Sequence, residues 1–179
     1  MGIALDLSKS AKENFYNLLT KSTTGLPENA VFTDADLIAS GFEAVSGRDD
    51  GNNTKVEISC VPTSTLVYGP DKTLYYKRKD IAEFGIAVAI TDDLANWSSE
   101  NIAATVLAYL QANFSAAITA DEFTLTPPLS PSDTEVTSTL TIVSDHYTLF
   151  GELVFTVTQT RVSTDNIDTS ENGFVDGGS

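Results

Sequence analysis

The residues that could do nucleophilic or acid–base chemistry are few in this chain. Its 179 residues include one histidine, His146, and one cysteine, Cys60. A catalytic Ser–His or Cys–His pair needs such a histidine as its base. His146 stands beside a predicted turn with no Gly-x-Ser-x-Gly motif before it, and Cys60 lies in the apolar phase of a distant segment. We therefore predict an ordinary histidine near a turn, a small buried cysteine and no catalytic residues.

One segment near the end of the chain has the spacing of a calcium loop. Asp168-x-Ser170-x-Asn172-Gly173 matches the first half of an EF-hand loop, but Ser179 stands where the loop requires glutamate. No helical pattern flanks the segment, so we expect a flexible polar tail. With one histidine and one cysteine, the usual zinc ligand sets cannot form within one chain either.

Two further pairs of carboxylates precede predicted strands. Asp34 with Asp36, and Asp121 with Glu122, could ligate a metal, but each pair follows a threonine, and capping of the next element explains them better. The paired carboxylates of a glycosidase would also need a cleft with aromatic platforms, and Trp97 is the only tryptophan. We predict no metal site, no cofactor and no enzymatic activity.

The single basic cluster of the chain is Lys77-Arg78-Lys79. On a strand the two lysines share one face and the arginine takes the other. In an acidic protein we interpret the cluster as a guard of a strand edge or a subunit contact rather than a nucleic-acid site. The glycines are isolated from one another, so no glycine-rich phosphate loop is predicted.

The chain is strongly acidic, with a net charge of −15 at pH 7. Residues 1–81 hold nine basic and eleven acidic side chains, a net charge of −2, whereas residues 82–179 hold one basic and fourteen acidic ones, a net charge of −13. Such a surface argues against nucleic acid or an anionic membrane as partner. The asymmetry would let the N-terminal half of one copy face the C-terminal half of another, and a protein with an acidic tail is the alternative.

The length and the apolar content allow one or two small domains. At 41% hydrophobic residues the chain can build real cores, although each half by itself would be only modestly stable. No run of about 18 apolar residues occurs, so no membrane-spanning helix is predicted. The start of the chain has no basic region before an apolar core, so we expect no secretion signal there.

Two segments alternate apolar and polar residues in the same way. Residues 54–81 and 134–162 each begin with threonine, a charged residue and valine, and each reaches an aromatic residue followed by glycine, Tyr68-Gly69 in one and Phe150-Gly151 in the other. Both then resume the alternation. Because successive side chains of a strand point to opposite faces, each segment is predicted to be a β-hairpin with one buried face.

A helical pattern comes before each hairpin. Ser10 and Glu13 fit a capping box that starts the first helix, which should end at residues 23–25. Ser98 or Ser99 can cap the second helix. The apolar residues of the first helix are Ala11, Phe15, Leu18 and Leu19, and those of the second are Ile102, Val106, Tyr109, Leu110 and Phe114.

The remaining segments are predicted from their residue types. Residues 32–41 contain a short strand or a turn of helix, and residues 46–53 form an exposed loop. Residues 85–90 form a strand that is buried on one face and closely covered on the alanine face. Residues 124–133, with three prolines, form a loop.

These observations predict an α+β fold made of two similar small modules, each a helix packed on an antiparallel β-sheet. Residues 1–9 are an N-terminal arm, 10–81 the first module, 82–162 the second module as a degenerate repeat of the first, and 163–179 a flexible acidic tail. A short segment before each hairpin supports the repeat, because residues 32–37 resemble residues 118–123. A chance likeness between two threonine-rich segments is the alternative.

The order of these features carries a family resemblance. A capped helix, a Thr-Ala-Asp type step, a threonine-rich strand and then Tyr-Gly-x-x-x-x-Leu-Tyr-Tyr-x-Arg-x-Asp-Ile at residues 68–81 resemble the small repeated modules of virion structural proteins from large contractile-tailed bacteriophages. The resemblance covers most of residues 10–162. The second copy departs from it, since Phe155-x-Val157-x-Gln159-x-Arg161 replaces the tyrosines and the basic cluster.

The resemblance implies a non-enzymatic virion structural or assembly protein of a tail, baseplate, neck or capsid. Its partners would be other virion proteins and copies of itself, as a homo-oligomer within a larger assembly, without nucleic acid or membrane. It would be made in the host cytoplasm and end in the virion. The N-terminal arm and the acidic tail are the candidate docking segments. The alternatives are an extracellular carbohydrate- or surface-binding module and a small hydrolase with carboxylate chemistry.

Overall fold

The computed structural model describes five stretches of the chain, residues 3–84, 87–97, 101–113, 117–126 and 134–161. Two α-helices and nine β-strands lie within them, together with three short 3₁₀ turns, so the fold is α+β as predicted. The predicted acidic tail and the calcium-like segment lie outside the described residues, as do Ser98 and Ser99.

Helix α1 (Ala11–Ser22) begins where the sequence predicts and ends one residue before the predicted 23–25. The Ser10 hydroxyl accepts from the backbone N–H of Glu13, and the Glu13 carboxylate accepts from the backbone N–H of Ser10, which confirms the capping box. The helix ends at Ser22 with Thr23 as its C-terminal cap. Its buried residues are Asn14, Phe15, Tyr16 and Leu19.

The first sheet has three antiparallel strands in the order β1-β2-β3: β1 (Leu37–Ala44), β2 (Thr54–Cys60) and β3 (Lys72–Tyr76). The predicted first hairpin is confirmed, since β2 pairs with β3 and Val56 lies opposite Leu74. Cys60 at the end of β2 is half-buried rather than buried, because β2 emerges from the core there.

A two-stranded parallel pair connects the two halves of the chain. Strand β4 (Lys79–Asp80) follows β3 directly, and it pairs with β8 (Leu149–Phe150) from the connection within the second hairpin. The backbone N–H of Lys79 also donates to the carbonyl of Thr148 at 2.8 Å. The chain therefore passes from its first half to its second through a shared backbone ladder.

The second sheet has the order β5-β9-β7-β6. Its strands are β5 (Ala87–Asp92), β6 (Phe123–Thr126), β7 (Glu135–Ile142) and β9 (Glu152–Gln159). Strands β7 and β9 pair antiparallel, which confirms the second hairpin, but β5 pairs with β9 in parallel. The sheet is therefore mixed and not purely antiparallel as predicted. The reason is that helix α2 (Ile102–Asn113) connects β5 to β6, and such a helical crossover lets β5 and β6 run in the same direction. Because β6 and β9 are both antiparallel to β7, β5 is then parallel to β9.

Two other details of the prediction were wrong in this sheet. Residues 124–126 are strand and not loop, because Leu125 pairs opposite Leu140 and packs on the core before the prolines begin. Ala89 of β5 is exposed instead of closely covered, since β5 lies at the edge of the sheet. The apolar face of α2 is confirmed by the burial of Ile102, Val106 and Leu110, while Phe114 lies outside the described residues.

Buried apolar side chains form two separate clusters. The first cluster lies between α1 and the first sheet, and its buried members are Phe15, Tyr16, Leu19, Phe32, Leu37, Val56 and Tyr76. The second lies between α2 and the second sheet and extends from Ile81 to Val157. Each cluster also receives side chains from the other half: Tyr147 packs against the first, while Leu5 packs against the second, which includes the buried Ile81 from the end of the predicted first module.

Candidate functional site

A buried aspartate organises the turn that leads into β1. Its carboxylate oxygen Oδ2 accepts from the backbone N–H and the hydroxyl of Thr33, both at 3.0 Å, and Oδ1 of Asp36 accepts from the Ser64 hydroxyl at 2.8 Å. The Ser64 oxygen in turn accepts from the backbone N–H groups of Leu66 and Val67 at 3.1 and 3.3 Å. Asp36 is thus a cap, as predicted, and it also fixes the loop after β2.

A glutamate does the same before β6. The carboxylate of Glu122 accepts from the backbone N–H of Thr119 at 2.8 Å, and its Oε1 lies 3.4 Å from Nε2 of His146. The other ring nitrogen of His146, Nδ1, accepts from the backbone N–H groups of Thr148 and Leu149 at 3.1 and 2.9 Å. The carboxylate therefore connects the turn before β6 to the loop after β7.

The backbone hydrogen bonds beside the turn at Asp36 match those beside the turn at Glu122. The N–H of Val61 donates to the carbonyl of Asp36 at 2.9 Å, and the N–H of Val143 donates to the carbonyl of Glu122 at 3.1 Å. The adjoining strands have the same register, since Leu37 faces Cys60 at the ends of β1 and β2 while Phe123 faces Ile142 at the ends of β6 and β7. Ser64 and His146 consequently occupy matching places in their loops.

Electrostatics explain why Glu122 stays ionised although it is half-buried. Burial by itself raises the pKa of Glu122, but the contacts from His146 and from the Thr119 N–H outweigh it, so the pKa lies below its ordinary value. Because Nδ1 of His146 accepts two backbone N–H groups, a neutral ring carries its proton on Nε2, facing the glutamate. His146 lies at a turn as predicted, but it is buried, and both of its ring nitrogens contact other groups of the fold.

Arg78 is buried, which overturns its assignment to an exposed edge. Its Nε donates to the Thr54 hydroxyl at 2.8 Å, and its Nη1 donates to the carbonyls of Ser144 and His146 at 2.9 and 3.0 Å. The strand prediction failed here because β3 ends at Tyr76, and the chain then turns Arg78 inward between the two halves. Burial lowers its pKa from the ordinary value of an arginine.

Tyr76 adds a second contact at this junction. Its hydroxyl donates to the carbonyl of Tyr147 at 2.8 Å, while the Tyr147 ring packs against Phe15 with 5.3 Å between ring centroids. Together with Arg78, Tyr76 binds the loop of residues 144–147 to the first half. Sequence reasoning missed this junction, because nothing in the alternation of residues 68–81 distinguishes an inward arginine from an exposed one.

The outer edge of β3 pairs with no strand in the part of the chain that the structure describes. A groove of about 590 Å³ is lined by residues of this strand, Leu74, Tyr75 and Tyr76, together with Phe15 and Leu18 of α1. Lys77 and Lys79 also line this groove, and its described lining contains no aspartate or glutamate. The β3 groove is thus apolar with a basic rim in a protein of net charge −15.

The N-terminal arm packs on its own chain. Asn14 is buried, its side-chain oxygen accepts from the backbone N–H of Asp6 at 2.8 Å, and its amide donates to the carbonyl of Asp6 at 2.8 Å and to those of Lys9 and Ser10. Leu5 then reaches the second cluster of buried residues. Residues of the arm, Ile3, Ala4, Leu5 and Leu7, therefore line part of the β3 groove, and the buried amide of Asn14 holds the arm at Asp6.

The other residues singled out in the sequence have structural partners. Asp34 does not cap but accepts from the Tyr16 hydroxyl at 2.5 Å and forms an ion pair with Lys12 at 2.6 Å, and these contacts lower its pKa. The buried Trp97 donates from its Nε1 to the Asp92 carboxylate at 3.0 Å. Among the described residues, no cluster of three or more histidine, cysteine, aspartate or glutamate side chains could hold a metal ion.

Neither described helix has the length and apolar character needed to cross a membrane. The family model of a family of unknown function, DUF7941, matches residues 4–170. Since the match spans nearly the whole chain, the protein belongs to this family. Searches of curated proteins and of solved structures each gave no match.

Proposed function

We propose that the protein is a non-enzymatic structural protein that works through contacts with copies of itself and with other proteins of a larger assembly. The observation that carries the proposal is the edge of β3, which no strand of the described residues covers, whereas its counterpart in the second sheet, the edge of β9, is covered by β5. An uncovered strand edge offers a row of backbone donors and acceptors to a strand from another molecule.

The comparison of the two edges rests on a repeat, which is part of the proposal. Each half has a helix, a turn closed by an acidic side chain, and three matching strands. The strand after the turn, β1 or β6, pairs with the next strand, β2 or β7, and that middle strand also pairs with β3 or β9. The equal registers of β1 with β2 and β6 with β7 support two copies of one unit, as do the matching bonds at Ser64 and His146. Such bonds depend on the fold and not on residue identity, since a serine and a histidine fill the same place.

The second copy is the complete one on this interpretation. It has a four-stranded sheet in which β5 protects β9, whereas the described part of the first copy ends at β3. An incomplete sheet in one unit and a complete sheet in the other is the arrangement expected when a neighbour supplies the missing strand. This form of association uses main-chain hydrogen bonds and asks for no special side chain.

The use of polar side chains supports the absence of catalysis in the proposal. Asp36, Glu122, His146 and Arg78 are the buried or half-buried groups best suited to chemistry, and each is occupied by backbone or hydroxyl partners inside the fold. A catalytic group needs free hydrogen-bonding capacity toward a substrate. These four groups use their hydrogen-bonding capacity to position loops.

The setting of the assembly is proposed from the sequence resemblance alone. We place the protein in the virion of a large contractile-tailed bacteriophage, in a tail, baseplate, neck or capsid. It would be synthesised in the host cytoplasm, and its partners would be other virion proteins and its own copies. The acidic surface is consistent with a role that involves no nucleic acid and no membrane.

Sedimentation velocity of the full chain tests the proposal across a wide concentration range, alone and mixed with candidate virion proteins. We expect concentration-dependent oligomers or a stable complex with such a protein. A chain that stays monomeric at high concentration and binds none of them would contradict the proposal.

A further inference from the structure

We propose that the β3 groove binds the acidic C-terminal segment of a neighbouring copy, residues 162–179, as an added strand parallel to β3. The inference rests on the proposed function, because it names the partner of the uncovered edge. It would make the association head-to-tail, with the C-terminal end of one copy on the first sheet of the next.

Strand β5 serves as the template for the added strand. It lies parallel to β9 over six paired positions, from Ala87 opposite Val154 to Asp92 opposite Gln159. If β3 corresponds to β9, a strand on the outer edge of β3 would enter the β3 groove beside Leu74 and Tyr75. A groove of about 590 Å³ has room for several side chains of such a strand.

Charge selects the acidic segment among the possible occupants. Lys77 and Lys79 are among the described residues that line the β3 groove, and this described lining includes no aspartate or glutamate. Residues 162–179 carry four acidic side chains, Asp165, Asp168, Glu171 and Asp176, and no basic ones. They also include the adjacent apolar residues Phe174 and Val175, which suit a groove whose walls are phenylalanine, leucine and tyrosine.

The chain's own arm is a poorer candidate for the added strand. Ile3-Ala4-Leu5 resembles Ile86-Ala87-Val88, the segment that enters β5, so the arm has a suitable sequence. Three hydrogen bonds between the buried Asn14 and the arm, at Asp6 and Lys9, nevertheless hold it in place, and its Leu5 packs against the second cluster. An arm fixed in this way adds no strand to the edge of β3.

Direction favours a neighbouring copy over the same chain. Strand β9 starts beside β8, which pairs with β4 close to β3, and it carries the chain away from that junction over eight residues, about 26 Å. The described chain therefore ends, at Arg161, away from the proposed binding site. A heterologous contact of this kind closes into a ring or continues as a filament, depending on the rotation between copies.

Disulfide trapping between two full-length variants tests the contact. Both carry Cys60→Ser, one adds Tyr75→Cys in the β3 groove, and the other adds Val175→Cys. Mixed at equal concentration under mild oxidation, they should give a disulfide-linked dimer with one chain of each kind. The matched control replaces Tyr75→Cys with Ile38→Cys, which is also exposed on the first sheet but lies on β1, and it should give several-fold less.

Each other outcome of the trapping would overturn the proposal. Equal trapping at Ile38→Cys means random collision. No mixed dimer under conditions where the protein is oligomeric means that another segment binds. A single chain carrying both cysteines that closes on itself at high dilution means that its own acidic segment is the occupant.

Removing the charge of the groove gives an independent readout. Lys77→Gln should weaken self-association about two- to fivefold at low salt, since exposed ion pairs contribute little each, and the loss should shrink as salt screens the charges. Lys55→Gln, which removes a lysine paired with Glu43 on the same sheet, should leave self-association unchanged. If the chain associates but neither Lys77→Gln nor trapping has an effect, this inference fails and the proposed function stands. A chain that stays monomeric defeats this inference, and it defeats the proposed function as well if it binds none of the candidate virion proteins.

Discussion

Replacing Arg78 with methionine should destabilise the fold more than any surface substitution. The arginine is 5% exposed, and its guanidinium binds one hydroxyl and two carbonyls that lie on both sides of the junction between the halves. Methionine fills a similar volume without hydrogen bonds. The loss therefore isolates the polar contacts, with little contribution from an empty cavity.

The magnitude follows from the number of bonds. A hydrogen bond to a charged group contributes about 1.5–3 kcal/mol, and each buried acceptor left without a donor adds to the cost. Three bonds are lost, but the methionine variant no longer has to bury a charge, which offsets part of the loss. We expect the free energy of unfolding of Arg78→Met to fall by about 3–5 kcal/mol.

Urea denaturation followed by far-ultraviolet circular dichroism measures this quantity. Lys77→Met is the matched control, because Lys77 is the exposed neighbour of Arg78, and its change should stay within about 0.5 kcal/mol. A loss below about 1 kcal/mol for Arg78→Met would refute the reasoning. It would mean that the two halves are held together by other contacts and that the arginine contacts are incidental.

Three further predictions concern the connection within the second hairpin, the arm and pH. Gly151 has φ of +94°, and a Cβ there would collide with the Asp80 carboxylate, whereas Gly69 has φ of +133° and open space around it. In the same urea assay, Gly151→Ala should therefore cost about 1 kcal/mol more than Gly69→Ala. Equal costs would contradict this. Asn14→Ala should destabilise the fold by about 1–3 kcal/mol, because it removes the hydrogen bonds that hold the arm at Asp6. The arm should then be cleaved faster in limited proteolysis followed by mass spectrometry. Unchanged cleavage would show that other contacts hold the arm. Because the pKa of Glu122 is lower in the folded state, its contribution to stability is present above the ordinary glutamate value of about 4.3 and is lost as pH falls through the folded pKa. The parent protein should therefore lose more stability between about pH 5 and pH 3 than Glu122→Gln does, and parallel losses would contradict the assignment.

The sequence predicted those features that depend on local periodicity. The capping box at Ser10 and the two hairpins follow from spacing within one segment, and all were confirmed. The predicted stripe of α1 was confirmed in part, since Phe15 and Leu19 are buried while Ala11 and Leu18 are half-buried. The face of α2 was found for the same reason, since Ile102, Val106 and Leu110 recur at helical spacing.

What the sequence did not predict depends on contacts between distant segments. The parallel pairing of β5 with β9 and of β4 with β8 joins strands that lie far apart along the chain, and alternation carries no information about the direction of a partner. Arg78 was misassigned because its bonds go to a loop more than sixty residues away. The threonine-to-acid spacing before β1 and β6 indicated two caps, but not that Ser64 and His146 would bind them.

We propose that the edge of β3, which no described strand of the same chain covers, is covered by a neighbour in the assembly. Amide hydrogen exchange of the full chain, at a low and a high protein concentration, tests it most directly. We predict that the amides of β9 are protected at both concentrations, because β5 and β7 flank that strand. Those of β3 should gain protection only as the protein associates. Association without any gain of protection in β3 would contradict the account.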